Sequence, residues 1–104
     1  MRTLKFIITA QSIQKDPDCD FSGIVSGTKG YLYAQFSFSK EWEGCRVAAV
    51  FNCLGKSYPS PVINGKCIIP ADALTWDYFG VSVIGQRENY RITTNEIKVD
   101  QERR

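Results

Sequence analysis

The chain has 104 residues, 43% of them hydrophobic and 23% charged, enough for one compact domain and too little for two separate cores. Thirteen basic and 11 acidic residues leave a formal charge of +2 with both signs scattered, so no basic run marks a nucleic-acid footprint, and no apolar run approaches the ~20 residues that cross a bilayer. There is no histidine, which removes Ser-His-Asp and Cys-His chemistry and imidazole zinc ligands together.

In chain order, Leu4, Phe6 and Ile8 alternate with Lys5, Ile7 and Thr9, the period-two pattern of a half-buried strand. Gln11 to Asp20 reads as a polar stretch, Phe21 to Ser26 carries short strand patterning, and Gly27-Thr28-Lys29-Gly30 supplies a turn. Tyr31 to Phe38 is the clearest strand, with Leu32, Ala34, Phe36 and Phe38 on the core face and Tyr31, Tyr33, Gln35 and Ser37 on the other. Ser39 to Gly44 has the composition of a single helical turn, capped by Ser39 and closed by Gly44, with Trp42 pointing back over the core. Arg46 to Cys53 returns as a strand.

Val62-Ile63-Asn64-Gly65-Lys66-Cys67 reads as a hairpin whose Asn-Gly pair provides the two positive φ angles of a type I′ turn. Pro70 ends a ladder because it lacks an N–H, and Pro70 to Leu74 forms one more short turn. Phe79, Val81 and Val83 alternate in a strand that stops near Gly85. Ile92 is out of phase with Ile97 and Val99, which requires a bulge near Thr93-Thr94-Asn95 or a switch of sheet there. The tail from Asp100 to Arg104 reads as solvated. The expected fold is all-β, an antiparallel β-sandwich of seven to eight short strands with one or two short helical turns, in one domain spanning 1–104. The core is expected to gather Phe36, Phe38, Val47, Phe51, Val81 and Val83.

Cys19, Cys45, Cys53 and Cys67 contain no C-x-x-C pair, so no zinc knuckle is present in the spacing. On one strand Cys45 and Cys53 would stand roughly 26 Å apart, far beyond the ~7 Å a disulfide allows. All four are expected to be free thiols in a reducing compartment, with Cys67 opposite Val62 on the hairpin arm. Asp16-Pro17-Asp18-Cys19-Asp20 resembles the start of a calcium loop, but Phe21 and Gly27 occupy the places that need glycine and glutamate, which leaves a solvated acidic loop.

No phosphate-cradling loop or nucleophile elbow occurs, and isolated carboxylates such as Glu41, Glu43 and Asp72 form no motif, so no catalytic, cofactor-binding or metal residue is assigned. Arg87, Arg91 and Lys98 read as ordinary surface charge. The candidate partner interface is the uncharged stripe Tyr31, Tyr33 and Gln35, where aromatic side chains suit a protein contact. The alternative function is a carbohydrate-binding β-domain stacking sugars on Tyr31, Tyr33 or Trp76.

The ordered set Phe36-Ser37-Phe38, Trp42-Glu43-Gly44, Ala49-Val50-Phe51, Cys67-Ile68-Ile69-Pro70, Val81-Ser82-Val83-Ile84-Gly85 and Thr93-Thr94-Asn95 resembles small β-sandwich structural proteins of tailed bacteriophages and prophages. It is similar in particular to the immunoglobulin-like N-terminal module of baseplate upper proteins from phages of Gram-positive bacteria, over the span from about Tyr31 to Val99. The resemblance implies scaffold roles: Phe36 and Phe38 fill the core, Trp42 covers one end, Gly44 closes the turn and Pro70 terminates a strand. It implies a non-catalytic virion component, assembled in the host cytoplasm, that contacts other virion or tail proteins or copies of itself; separately, Met1-Arg2-Thr3-Leu4 leads into only a few apolar residues, so no signal peptide is expected. Baseplate proteins usually continue into further domains whereas this sequence stops at Arg104, so a free-standing assembly or accessory subunit is expected.

Overall fold

In a computed structural model describing residues 1–104, alternation of apolar side chains becomes two facing sheets. Nine strands form: β1 (Arg2–Thr9), β2 (Ser12–Lys15), β3 (Leu32–Phe38), β4 (Arg46–Cys53), β5 (Lys56–Val62), β6 (Lys66–Ile68), β7 (Tyr78–Arg87), β8 (Tyr90–Thr93) and β9 (Ile97–Asp100). One sheet has the order β2-β1-β3-β6; the other has β5-β4-β7-β8, with β9 on the same edge of β7 as β8. The all-β two-sheet expectation holds, with one departure from antiparallel pairing among the nine strands: β1 and β3 run parallel from Arg2 opposite Leu32 to Ile8 opposite Phe38. No helix is long and apolar enough to cross a membrane.

The inner face of the first sheet carries a row of rings. Phe21 meets Phe6 edge-on at 5.3 Å, Phe6 stacks on Phe36 at 5.4 Å, Phe36 lies 6.0 Å from Phe38, and Phe38 lies 5.4 Å from Trp42. Phe51 and Phe79 answer from the second sheet, 6.1 Å apart. Phe36, Phe51, Val81 and Val83 are buried as expected, while Phe38 and Val47 are half-buried against the same core.

Trp42 sits on a single 3-10 turn, Lys40–Trp42, and is 3% exposed. Ser39 does not cap that turn with its side chain. Its hydroxyl oxygen instead accepts the Ala10 N–H at 2.9 Å, while the Trp42 indole N–H donates to the Ala10 carbonyl at 2.8 Å. Both backbone groups of Ala10 are thus satisfied from another part of the chain, at a residue whose φ of 52° is unfavourable for a side chain with a Cβ. That clamp turns the chain from β1 into β2, so the supposed polar stretch contains a strand whose one buried side chain is Ile13.

Other expectations are corrected by pairing. Phe21 to Ser26 forms no strand; only Val25 makes a bridge, to Glu102. The Asn64-Gly65 turn has both residues at positive φ (53° and 76°), as type I′ requires, but its arms do not form an extended hairpin. Beyond the Ile63–Lys66 bridge β5 pairs with β4 and β6 pairs with β3, so this turn carries the chain from one sheet to the other. β5 escapes sequence reading because Pro59 and Pro61 interrupt it, which an edge strand tolerates when the missing N–H groups face away from the ladder.

β7 runs on past Gly85 to Arg87. That glycine serves packing, since a Cβ there would stand 2.7 Å from the Trp42 ring. The phase change near Thr94 is a break in one sheet edge: Thr94 Oγ1 accepts the Val83 N–H at 2.9 Å and the Thr94 N–H donates to the Val83 carbonyl at 3.0 Å. The tail is not simply solvated. Gln101 is buried with its amide donating to the Trp76 carbonyl at 3.0 Å, and Arg103 lies over the Trp76 ring.

All four cysteines are free. Cys67 lies opposite Ala34 of β3, not opposite Val62, and burial pushes its thiol from an ordinary value of 9.0 up to about 11. Unreduced protein should titrate four thiols once denatured, and native Cys67 should alkylate slowest. Between pH 9 and 11 the unfolded chain sheds this proton while the folded chain keeps it, so stability should fall as pH rises through that window. The fall should be smaller in Cys67→Ala; identical pH profiles for the two proteins would refute the assignment.

Candidate interaction surface

Because Leu32, Ala34 and Phe36 point inward, Tyr33, Gln35 and Ser37 occupy the outer face of the first sheet, with Tyr31 at its start. Tyr33 lies between Thr3 of β1 and Ile68 of β6; Gln35 lies between Lys5 and Lys66. Tyr31 is 49% and Ile68 41% exposed, so Tyr31, Tyr33 and Ile68 make an apolar stripe that solvent reaches. The Tyr31 ring also borders a small cleft of about 170 Å³ with Arg2, Val25 and Thr28.

The stripe is uncharged along β3, yet the face is not. Lys5 and Lys66 bracket it, and the Lys66 ammonium sits 5.7 Å from the Tyr33 ring centroid. Neither lysine is adjacent to the tyrosines in sequence, so only the register reveals them. β3 is also an interior strand, paired on both sides, and any contact through the stripe uses side chains rather than free backbone groups. The outermost strands are short (β2, β6, β8 and β9) or proline-bearing (β5), which blunts them against strand addition.

The remaining candidate residues are dispersed. Asp16 accepts the Asp18 N–H at 2.9 Å, and Asp20 accepts the Ser22 N–H and hydroxyl at 2.8 and 2.6 Å, so these carboxylates shape turns. The Ser22 contacts hold the Asp20 carboxyl below its usual range, and a hydrogen bond from Ser39 does the same for Glu41. Asp72 lies on the separate 3-10 turn Ala71–Ala73. Arg91 pairs with Gln86 and Lys98 with Gly80, roughly 20 Å apart along β7, so Arg87, Arg91 and Lys98 make no single basic patch. Trp76, just before β7, is on the other sheet's side of the molecule from the Tyr33 stripe and shares no platform with it.

A hollow of about 640 Å³ on the outer face of the second sheet has no signature in the sequence. Ala48, Pro61 and Ile84 form its floor, with Arg46, Gln86 and Arg87 around it. The Arg87 guanidinium is already held, donating to the Glu43 carbonyl at 2.7 Å and lying 4.5 Å over the Tyr90 ring.

Among solved structures, the N-terminal domain of phage TP901-1 ORF48 superposes with a TM-score of 0.61 over 98% of this chain and 99% of that one, at 12% sequence identity. The chain has the fold of a phage domain. No protein-family model and no curated protein matches the sequence. The phage domain is thus similar in fold from end to end, including residues 1–30 with β1 and β2, which the motif resemblance did not reach.

Proposed function

We propose that this chain is a non-catalytic structural module of a phage or prophage virion, one domain over residues 1–104, that works through protein contacts. The observation that carries the reading is the end-to-end fold match to a phage protein's N-terminal domain. The ordered motifs from Phe36 to Asn95 add the tail or baseplate as its place and an immunoglobulin-like description of the sandwich. The interface is assigned to the face bearing Tyr31, Tyr33 and Gln35. Tyrosines there can bury large area at low entropic cost, and Lys5 and Lys66 at the margin select a partner with acidic groups opposite them. The partner is another virion protein or a second copy of the chain.

The test is sedimentation and native mass at micromolar concentration, alone and with candidate tail proteins. Wild type should associate, and Tyr31→Glu and Tyr33→Glu should remain monomeric and unbound. A wild-type chain that stays monomeric and binds none of them would refute the proposal. Association undiminished by both substitutions would refute this choice of face.

A further inference from the structure

A second hollow, of about 520 Å³, lies at the opposite end of β7 from Arg87, where Asn52 and Leu54, Trp76 and Tyr78, and Glu96 and Lys98 converge from three separate stretches of sequence. Ser57, Asn52, Gly80 and Lys98 form one row across β5, β4, β7 and β9. Gly80 leaves a gap in that row, and the Glu96 side chain fills it: a Cβ on Gly80 would stand 2.5 Å from the carboxylate carbon. There Glu96 Oε2 accepts a hydrogen bond from the Asn52 amide, whose own oxygen accepts from the Ser57 hydroxyl. The amide orientation and the carboxylate position are therefore fixed from both sides, leaving the other carboxylate oxygen for a ligand.

The aromatic walls are held in a similar way. Arg103 lies 4.6 Å over Trp76 and pairs with Asp77 at 3.2 Å; Lys98 lies 4.5 Å over Tyr78 and pairs with Asp100 at 3.6 Å. These are the two ion pairs of the chain, and both attach to rings of this one hollow. Exposed pairs of this kind contribute little to stability, so their concentration here is better explained by positioning of the rings. Arg103 does not line the hollow, so it backs Trp76 from outside.

We propose that this hollow is a binding subsite for a neutral saccharide. Flat aromatic walls suit the C–H faces of a pyranose ring, and a fixed carboxylate beside an amide and an ammonium suits its adjacent hydroxyls. One carboxylate and one ammonium inside the hollow cancel, which disfavours phosphate and strongly cationic ligands alike, and the volume lies in the ~300–1,000 Å³ range of small-molecule sites. The subsite does not depend on the assembly role of the Tyr33 face.

The probes are methyl glycosides of glucose, galactose, N-acetylglucosamine and rhamnose and their disaccharides, titrated into the full chain while the two indole N–H resonances are followed. At least one saccharide should move the Trp76 resonance saturably and leave buried Trp42 still. Glu96→Gln and Tyr78→Ala should each weaken binding by about tenfold or more, the loss expected for a charge-assisted hydrogen bond or a main stacking face. Gly80→Ala, which displaces Glu96, should do the same, and Tyr33→Ala should bind as wild type. An unmoved Trp42 resonance in each variant verifies folding. Silence of Trp76 toward every saccharide, or variants that bind as wild type, would each overturn the proposal.

Discussion

Phe51→Ala is expected to lower the free energy of unfolding by about 3–5 kcal/mol. Phe51 has no exposed surface, lies on β4 between β5 and β7, and packs its ring 6.1 Å from Phe79. Paired strands on both sides prevent the backbone from closing the void, so the lost transfer energy is joined by the cost of an unfilled cavity. For a domain of this size, with a total of about 5–15 kcal/mol, that is a large share. Urea denaturation should show a lower midpoint at an unchanged slope, and the half-buried Phe38→Ala should cost less. A loss at Phe51 below about 1 kcal/mol would contradict the packing described.

Trp42→Ala should cost a comparable amount, about 3–5 kcal/mol, through three losses: contact with Phe38, the ring that covers Gly85, and the indole donor to the Ala10 carbonyl. Gly85 provides an internal check. A Cβ at that position would stand 2.7 Å from two Trp42 ring carbons and 3.2 Å from Cys45 Cβ, and the indole cannot swing aside without breaking its bond to Ala10. Gly85→Ala should therefore destabilise the wild type by about 1–3 kcal/mol and should cost much less once Trp42 is alanine. Strictly additive losses in the double variant would show that the two sites are not in contact.

The strands with clean alternation were legible from sequence because both of their faces declare themselves. On β3, Leu32, Ala34 and Phe36 turn inward and Tyr33 and Gln35 outward, which is the arrangement found; β4 and β7 read equally well through Ala49, Phe51, Val81 and Val83. β2 was illegible for a physical reason. Its turn carries Ala10 and Gln11 rather than glycine, and what holds Ala10 at positive φ is Ser39 and Trp42, about thirty residues away. β5 was hidden by prolines that only its edge position permits. Surface chemistry was legible one strand at a time: the Tyr33 stripe follows from β3 alone, but Lys5 and Lys66 join it through register. The hollow around Trp76 takes side chains from three distant stretches, and the sequence offered Trp76 as a stacking ring while Lys98 read only as surface charge.

The crossing of the chain at Asn64-Gly65 also bears on how the molecule folds. One sheet draws on residues 2–15, 32–38 and 66–68, the other on 46–62 and 78–100, so neither is a continuous stretch that could form and persist by itself. The parallel ladder joins Arg2 to Leu32, and closing it gives up the freedom of the 29 intervening positions before any contact rewards it. Acquisition of structure is accordingly governed by distant pairings, on a timescale of roughly milliseconds to seconds, and loss of structure is a single cooperative event in which both sheets go together.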